Sequence, residues 1–396
     1  MKKRIAISTE NFMLWNGGID FIKHIILALT SVAKSNNLEI FVFIKSDDSY
    51  KNYKGFNRII KKINEKYLRN YIAYSRNSNF SEFNNCKFIL YSPSNIEKIL
   101  KKFSIDCFLP HFNPRYFELK ILNLGYLYDC QHKYYPEFFS EADVKSRESF
   151  FPVMVNSNKK ILVNSKSVKD DLIKFFNANP DNICTLPFTP KVKKEYLANN
   201  SKLIKKYNLP KKYFLISNQF WLHKDHPTAF KGFAKLVKEP QYQDIKLICT
   251  GLMEDSRRPQ YIEELKQLVV DLNCKEKIIC LGLIPKIEQI EIMKGSLAVV
   301  QTTLFEGGPG GGSVWDAISL GKPSIVSDIS TNLEIENEPT VTFFKTKDAD
   351  DLADKMEKAA NNLTIKYLDS ELLAKSEENI KKLGNELLNI IKKAAR

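Results

Sequence analysis

Short apolar runs alternate with helical stretches twice along this chain, and that alternation leaves few folds open. The first series reads as strands at Arg4 to Ser8, Leu38 to Ile44, Lys87 to Tyr91, Asp106 to Pro110, Leu122 to Leu127, Lys160 to Asn164 and Ile183 to Pro187. A second restarts at Tyr213, with Phe214 to Ser217, Lys246 to Thr250, Lys277 to Leu281, Leu297 to Gln301, Ser324 to Ser327 and Thr340 to Phe344. Strand and helix in succession predict a parallel, doubly wound α/β sheet. Between the series, Lys191 to Lys206 is rich in Lys and Asn and poor in large apolar residues, as a linker is. A length of 396 residues exceeds what one core usually carries. Two Rossmann-like domains are therefore expected, with a cleft between the carboxyl ends of their strands.

The stretch with the most chemistry in it is Leu297 to Asp328, LAVVQTTLFEGGPGGGSVWDAISLGKPSIVSD. After an apolar strand, Glu306 opens a loop holding Gly307, Gly308, Gly310, Gly311 and Gly312. Ser313 reads as the N-cap of a helix over Val314 to Leu320, Gly321 stops it, and Lys322-Pro323 leads into the next strand. A loop with so few Cβ atoms lets a ligand come close to the backbone, and the amides at the helix start favour a phosphate or diphosphate. Glu306 and Asp316 flank that anion position, where carboxylates serve better as acceptors for hydroxyls of a ribose or hexose. The inferred ligand is a nucleotide sugar. The strict G-x-G-x-x-G spacing of a dinucleotide fingerprint is absent. On the glycines alone, a ligand loop and a structural turn are equally supported. Gly17-Gly18, between the first strand and a helical run over Ile19 to Leu29, offers the same close approach, with a plain turn as its alternative.

Composition narrows the setting. An apolar fraction of 43% and a charged fraction of 27% are those of a soluble globular protein. No apolar run is long enough to span a bilayer, and Met1-Lys2-Lys3 leads straight into a strand, so a cytoplasmic protein is expected. Seven scattered cysteines without a C-x-x-C pair read as buried free thiols rather than disulfides or a zinc site. The net charge is +14, and half of it falls between Lys51 and Arg76, where Ile59, Ile60, Ile63 and Tyr67 recur at helical spacing. A solvated basic face and a helix that lies on an anionic membrane are weighed equally for this segment. Nucleic acid stands well behind, because no nucleic-acid motif accompanies the charge.

The stretch Leu297 to Asp328 resembles the signature of the retaining glycosyltransferases of GT-B fold, family 4 (glycosyl transferases group 1), in which an acid, a Gly/Pro loop and a Glu-Ala helix precede a strand. Glu306 matches the first acid and Asp316-Ala317 the Glu-Ala pair, although the spacing is two residues longer than E-x7-E and the second acid is the shorter Asp. The resemblance implies a GT-B plan of an acceptor-binding Rossmann-like domain over residues 1–195, a nucleotide-sugar domain over 196–375, and a helix over 376–396 that crosses back toward the first. Tyr128 to Ser140, YDCQHKYYPEFFS, resembles the acceptor-side loop of a bacterial subset of these enzymes. It implies acceptor contacts by Asp129, Gln131, His132 and Tyr134, with His132 a catalytic histidine near the transferred sugar. A structural histidine is an equal alternative there, and His111 is a rival. Ser165 resembles a family serine at a helix start and is read first as a cap. In SNQFWLHKDH, Lys224 stands where the family's "GR…KG" motif places the lysine that neutralises the donor diphosphate. Asn218-Gln219 replaces Gly-Arg, so one of two cations is missing; His223 and Lys231 are its candidate substitutes. Gly282, Leu283 and Ile284 match the segment whose backbone reads the base, and Gly17 and Gly18 the first loop beside the diphosphate.

These matches imply a retaining hexosyltransferase that uses a GDP- or UDP-linked sugar, with a lean to mannose, and a glycan or lipid-linked saccharide as acceptor, in surface-polysaccharide synthesis (O-antigen, capsule, lipopolysaccharide). The glycine loop from Gly307 to Gly312 and Lys224 would stabilise the leaving diphosphate, with Ser313 also in the donor site, Asp316 would take ribose hydroxyls, and Glu306 would orient the sugar. No cofactor or metal is expected: Asp348-Ala349-Asp350 sits at a helix start and reads as a cap. The rival readings are a GT-B sugar-nucleotide epimerase, a non-catalytic binder of a nucleotide sugar or polyanion, and, third, an RNA-binding protein.

Overall fold

A computed structural model of the chain describes residues 2–14, 16–45, 83, 85–198, 206–362 and 367–395, and it contains all thirteen expected strands. β1 (Lys3–Ser8), β2 (Leu38–Lys45), β3 (Lys87–Tyr91), β4 (Cys107–His111), β5 (Leu122–Tyr126), β6 (Ile161–Val163) and β7 (Ile183–Thr185) form one sheet in the order β3-β2-β1-β4-β5-β6-β7. The second sheet, β10-β9-β8-β11-β12-β13, is built from β8 (Tyr213–Ser217), β9 (Lys246–Thr250), β10 (Ile278–Gly282), β11 (Val299–Gln301), β12 (Ser324–Ser327) and β13 (Val341–Phe344). Every pairing is parallel. Alternate residues show why the strands read as unbroken apolar runs. Ile5 and Ile7 face one core and Ala6 another; Phe214 and Ile216 face one core while Tyr213 and Leu215 face a second. Both faces of each sheet must be covered, so helices lie on both sides.

The helix Asp369–Ala394 ties the two units together. Leu372 and Leu373 near its start pack on the second unit's core, while Leu383, Leu387 and Ile391, one helical turn apart, enter the first unit's core beside the helix Asn16–Ser31. Gly384 permits the crossing, since a Cβ there would lie 2.3 Å from the carbonyl oxygen of Ala28. Among the described residues no helix is long and apolar enough to cross a membrane. The basic segment Lys51 to Arg76 lies outside the described residues.

In each sheet the strand order reverses at one place, between β1 and β4 and between β8 and β11. At such a switch point the connections leave in opposite directions and open a crevice at the carboxyl ends of the two strands. Lys224 follows β8 and Glu306 follows β11, so chain topology alone directs both to the second crevice.

Candidate active site

A lacing of short hydrogen bonds fixes the loop after β8 against the loop after β11. Thr302 Oγ1 donates to the carbonyl oxygens of Lys224 (2.9 Å) and Asp225 (2.8 Å), the Leu304 amide donates to that of His223 (2.7 Å), and so does Thr303 Oγ1 (3.1 Å). The result is an ion pair between the Lys224 ammonium and the Glu306 carboxylate. Their side chains are only 11% and 12% exposed, so the pair sits in a poorly screened position. Gln301 Nε2 supports it from behind, donating to Glu306 Oε1 (3.2 Å) and to the Gly310 carbonyl (2.6 Å).

The glycine loop departs from the expected cap. The helix spans Gly311–Ser319 rather than starting at Val314, and Ser313 is a mostly buried residue of its first turn instead of the N-cap. Gly310 (φ +67°) and Gly311 (φ +61°) take left-handed backbone conformations that turn the chain into the helix early, while the Gly310 amide donates to Asn332 Oδ1 at 2.9 Å. Gly312 is open: a Cβ there would meet nothing within 4 Å. Gly307 is the opposite, for a Cβ would lie 2.4 Å from the Tyr128 carbonyl oxygen of the first unit. Ser165 caps the helix Lys166–Phe176 through the Val168 amide (3.1 Å), and the same hydroxyl reaches the Gly307 carbonyl (3.1 Å). Glu334 adds a second clasp, accepting from the amides of Lys166 (2.9 Å) and Ser167 (2.8 Å) at that helix start. Backbone of the two units thus meets directly beside the glycine loop.

Asp316 pairs with Lys286, a residue with no signal in the sequence beyond its place after Pro285. Burial pushes the Asp316 carboxyl above the usual range, and Lys286 only partly offsets this. Burial alone would lower the Lys286 ammonium, but Asp316 and Asp20, from the first unit's opening helix, outweigh it and leave it raised. A second cation therefore stands in the cleft, although neither His223 nor Lys231 supplies it. His223 is buried, with its imidazole held well below its ordinary range by burial and then by Lys224, and Lys231 is exposed on the helix His226–Leu236.

Asn218 and Gln219 play backbone roles at the end of β8. The Asn218 amide donates to the Thr250 carbonyl (3.1 Å), and Gln219 Oε1 accepts from the Leu252 amide (2.8 Å). Gly251 has φ +141°, and a Cβ on it would lie 1.9 Å from the Asn218 carbonyl oxygen. Gly251→Ala is expected to cost about 3 kcal/mol through strain and the forced retreat of that loop. Urea unfolding checks this; an unchanged midpoint would contradict the close approach. Gly282 (φ +70°) has open space around it, Leu283 is exposed, and Ile284 leans on the second unit's core. Gly17 and Gly18 fall inside the helix Asn16–Ser31, not in a loop before it, so their amides belong to its first turn.

On the first unit's side, the single turn Gln131–Tyr134 sorts its residues by direction. Gln131 and His132 point inward and are buried, while Tyr134 is 45% exposed and rests on Phe305 across the cleft. The expectation of a cleft histidine at position 132 is corrected by this geometry. Its imidazole packs against Phe151 and Phe176, its side chain has no exposure, and burial holds its pKa below the ordinary value. Glu148 Oε1 lies 3.2 Å from its Nε2. His111 is equally enclosed, with Nε2 3.2 Å from Asn123 Oδ1. Asp129 is occupied locally, accepting from the Gln131 amide (3.0 Å) and from Arg147 (3.2 Å), whose guanidinium covers the Tyr128 ring. At the far end of the second unit, Asp348 is the helix cap the sequence suggested, accepting from the amides of Asp350 and Asp351.

Two parallel, doubly wound sheets with a cleft at their switch points define the GT-B class of protein, and whole-chain comparison agrees. Residues 199–382 match the model described as glycosyl transferases group 1. A glycosyltransferase from Rickettsia africae superposes with a TM-score of 0.66 at 16% identity, covering 100% of this chain and 99% of that one. HepE from Anabaena, solved in complex with UDP, gives 0.61 at 14% identity, with 99% and 98% covered. In sequence, the chain is 27% identical over 209 residues to the O-antigen chain mannosyltransferase RfbU of Salmonella typhimurium. That alignment spans 53% of this chain and 53% of the relative, about half the length of each.

Proposed function

We propose that the chain is a retaining glycosyltransferase of surface-polysaccharide synthesis, which moves a hexose from a nucleotide diphosphate sugar to a hydroxyl of a glycan or lipid-linked saccharide. The observation that carries this reading is the nearly buried Lys224–Glu306 pair at the switch point, beside the open first turn of the helix Gly311–Ser319. Transfer breaks the bond between the anomeric carbon and a diphosphate oxygen, and negative charge builds on that oxygen. Amides of the first turn and the Lys224 ammonium stabilise the charge where it develops. Lys286 stands in for the missing arginine, and Asp316 accepts from ribose hydroxyls once Lys286 turns to the anion. Glu306 orients sugar hydroxyls, and no side chain is assigned as a nucleophile. Gly282 to Ile284 line the base, and Tyr134 with the Asp129 loop faces the acceptor. The relative named O-antigen chain mannosyltransferase favours mannose and O-antigen-type glycans. A site of action on the cytoplasmic face of an anionic membrane, reached through Lys51 to Arg76, fits the charge of that segment.

A thermal-shift screen of the purified chain against GDP-, UDP-, ADP- and dTDP-linked sugars tests the donor, because a ligand that binds only the folded state raises the melting temperature by mass action. One nucleotide class is expected to stand out, and the same sugar, isotope-labelled, to be released from its nucleotide and passed to a saccharide acceptor. Stabilisation without release would make the chain a binder; no stabilisation by any of them would overturn the reading.

A further inference from the structure

Cys249 on β9 and Cys280 on β10 are register partners in adjacent parallel strands. Residues paired in this way project to the same face of a sheet, and adjacent strands run about 4.8 Å apart, inside the Cα separation of roughly 4.4–6.8 Å that a disulfide spans. The neighbouring pair Ile248 and Ile279 packs on the opposite core, which confirms that both cysteines face the same way. Both are free thiols, yet their surroundings differ: Cys249 is fully buried, whereas Cys280 on the edge strand is exposed, contrary to the expectation that the cysteines would all be buried. The two thiols also sense one another. A hydrogen bond from Cys249 holds Cys280 below its ordinary value, while burial, and then Cys280, pushes Cys249 well above its own.

We propose that Cys249 and Cys280 form an oxidisable dithiol site that closes to a cross-strand disulfide when the protein meets a peroxide. The exposed Cys280 thiolate attacks one oxygen of hydrogen peroxide, the O–O bond breaks, and the departing hydroxide takes a proton to leave as water; Cys280 becomes a sulfenic acid. The Cys249 sulfur, losing its proton, then attacks the Cys280 sulfur and expels the second oxygen as another water. Two thiols and one peroxide give one disulfide and two waters, and a dithiol such as dithiothreitol reverses the change. The bridge would lock the two strands whose last mutual bond, from the Gly251 amide to the Gly282 carbonyl (2.9 Å), joins the loops on the nucleotide side of the cleft. A β-bulge follows Cys280 at once, so the strand has slack to accept the bridge.

The test is peroxide treatment of the folded, full-length protein, followed by thiol blocking and peptide mapping without reduction. The expected result is one linked species that joins the peptides holding Cys249 and Cys280, lighter than the reduced chain by two hydrogen atoms and restored by dithiothreitol. Cys280→Ser should abolish the linkage under the same treatment. Cys249→Ser should leave Cys280 as a sulfenic acid that dimedone labels. Either variant is judged only after its circular dichroism and melting temperature match wild type, and Cys280→Ser, at an exposed position, is the one expected to pass. Peroxide that carries wild-type Cys280 to sulfinic acid without linkage, or that joins it to Cys274 instead, would overturn the proposal.

Discussion

Replacing Lys224 by methionine is expected to lower kcat/KM for sugar transfer by about 10²- to 10³-fold, the usual effect of removing one preorganised group that meets developing oxyanion charge. Methionine keeps about the length of the side chain and removes the charge together with its N–H donors. Because the ammonium is nearly buried against Glu306, the same change leaves a carboxylate without its partner in a weakly screened place. Broken buried pairs cost about 3–5 kcal/mol of stability, so a fall in activity alone would not separate catalysis from unfolding. The double variant Lys224→Met with Glu306→Gln makes the separation. Its neutral amide no longer needs a cation, and Gln301 Nε2 remains to donate to its oxygen. The double variant should regain most of the melting temperature that Lys224→Met loses while its turnover stays low. Wild-type kcat/KM in the single variant would remove Lys224 from the chemistry. Recovery of both stability and turnover in the double variant would reduce the pair to a structural brace.

Much of this architecture could be read from residues alone, for a physical reason. Apolar strand runs, and the polar interval between the two series, follow from local burial requirements, which sequence reports directly. That Lys224 and Glu306 lie at the same crevice is legible in sequence, because strand-end loops at a switch point face it whatever their detailed conformation. What stayed hidden depends on where side chains turn within a short loop or on distant partners. His132 sits in a four-residue turn, and whether such a turn aims position 132 or position 134 at the cleft is decided by Phe151 and Phe176, far away in the chain. The helix start moved from Val314 to Gly311 because two consecutive glycines took positive φ, a choice that sequence permits without requiring. Lys286, Asp20 and Asn332 reach the site through partners distant in the chain, and a lone lysine, aspartate or asparagine carries no pattern that would single it out.

Acid should unfold this protein unusually early, because all five of its histidines are buried in the neutral form. Burial lowers His24 and His226 from the ordinary 6.5 to about 3 and His111 to about 4; it also lowers His132, and takes His223 well below the ordinary value. The sign follows from linkage. A histidine depressed in the folded state contributes its full stability above the unfolded pKa of 6.5, and that stability drains away as pH falls from there toward the folded value. At about pH 5 His24, His111 and His226 have each lost about 2 kcal/mol, about 6 kcal/mol together, comparable with the whole stability of many domains. Asp171, Asp225 and Asp316 run the other way, since burial raises them and the folded state then gains protons first on acidification. A comparison at a single residue avoids that opposition. His226 stacks on Phe220 with ring centroids 4.2 Å apart and planes 8° from parallel, and neither ring nitrogen has a hydrogen-bond partner among the described residues. Phenylalanine fits the same slot without a titrating group. Between about pH 7 and about pH 5, the stability of His226→Phe measured by urea unfolding should therefore gain about 2 kcal/mol relative to wild type. Parallel stability curves for the two proteins would mean that His226 takes up its proton equally in both states, and the buried, neutral imidazole would have to be given up.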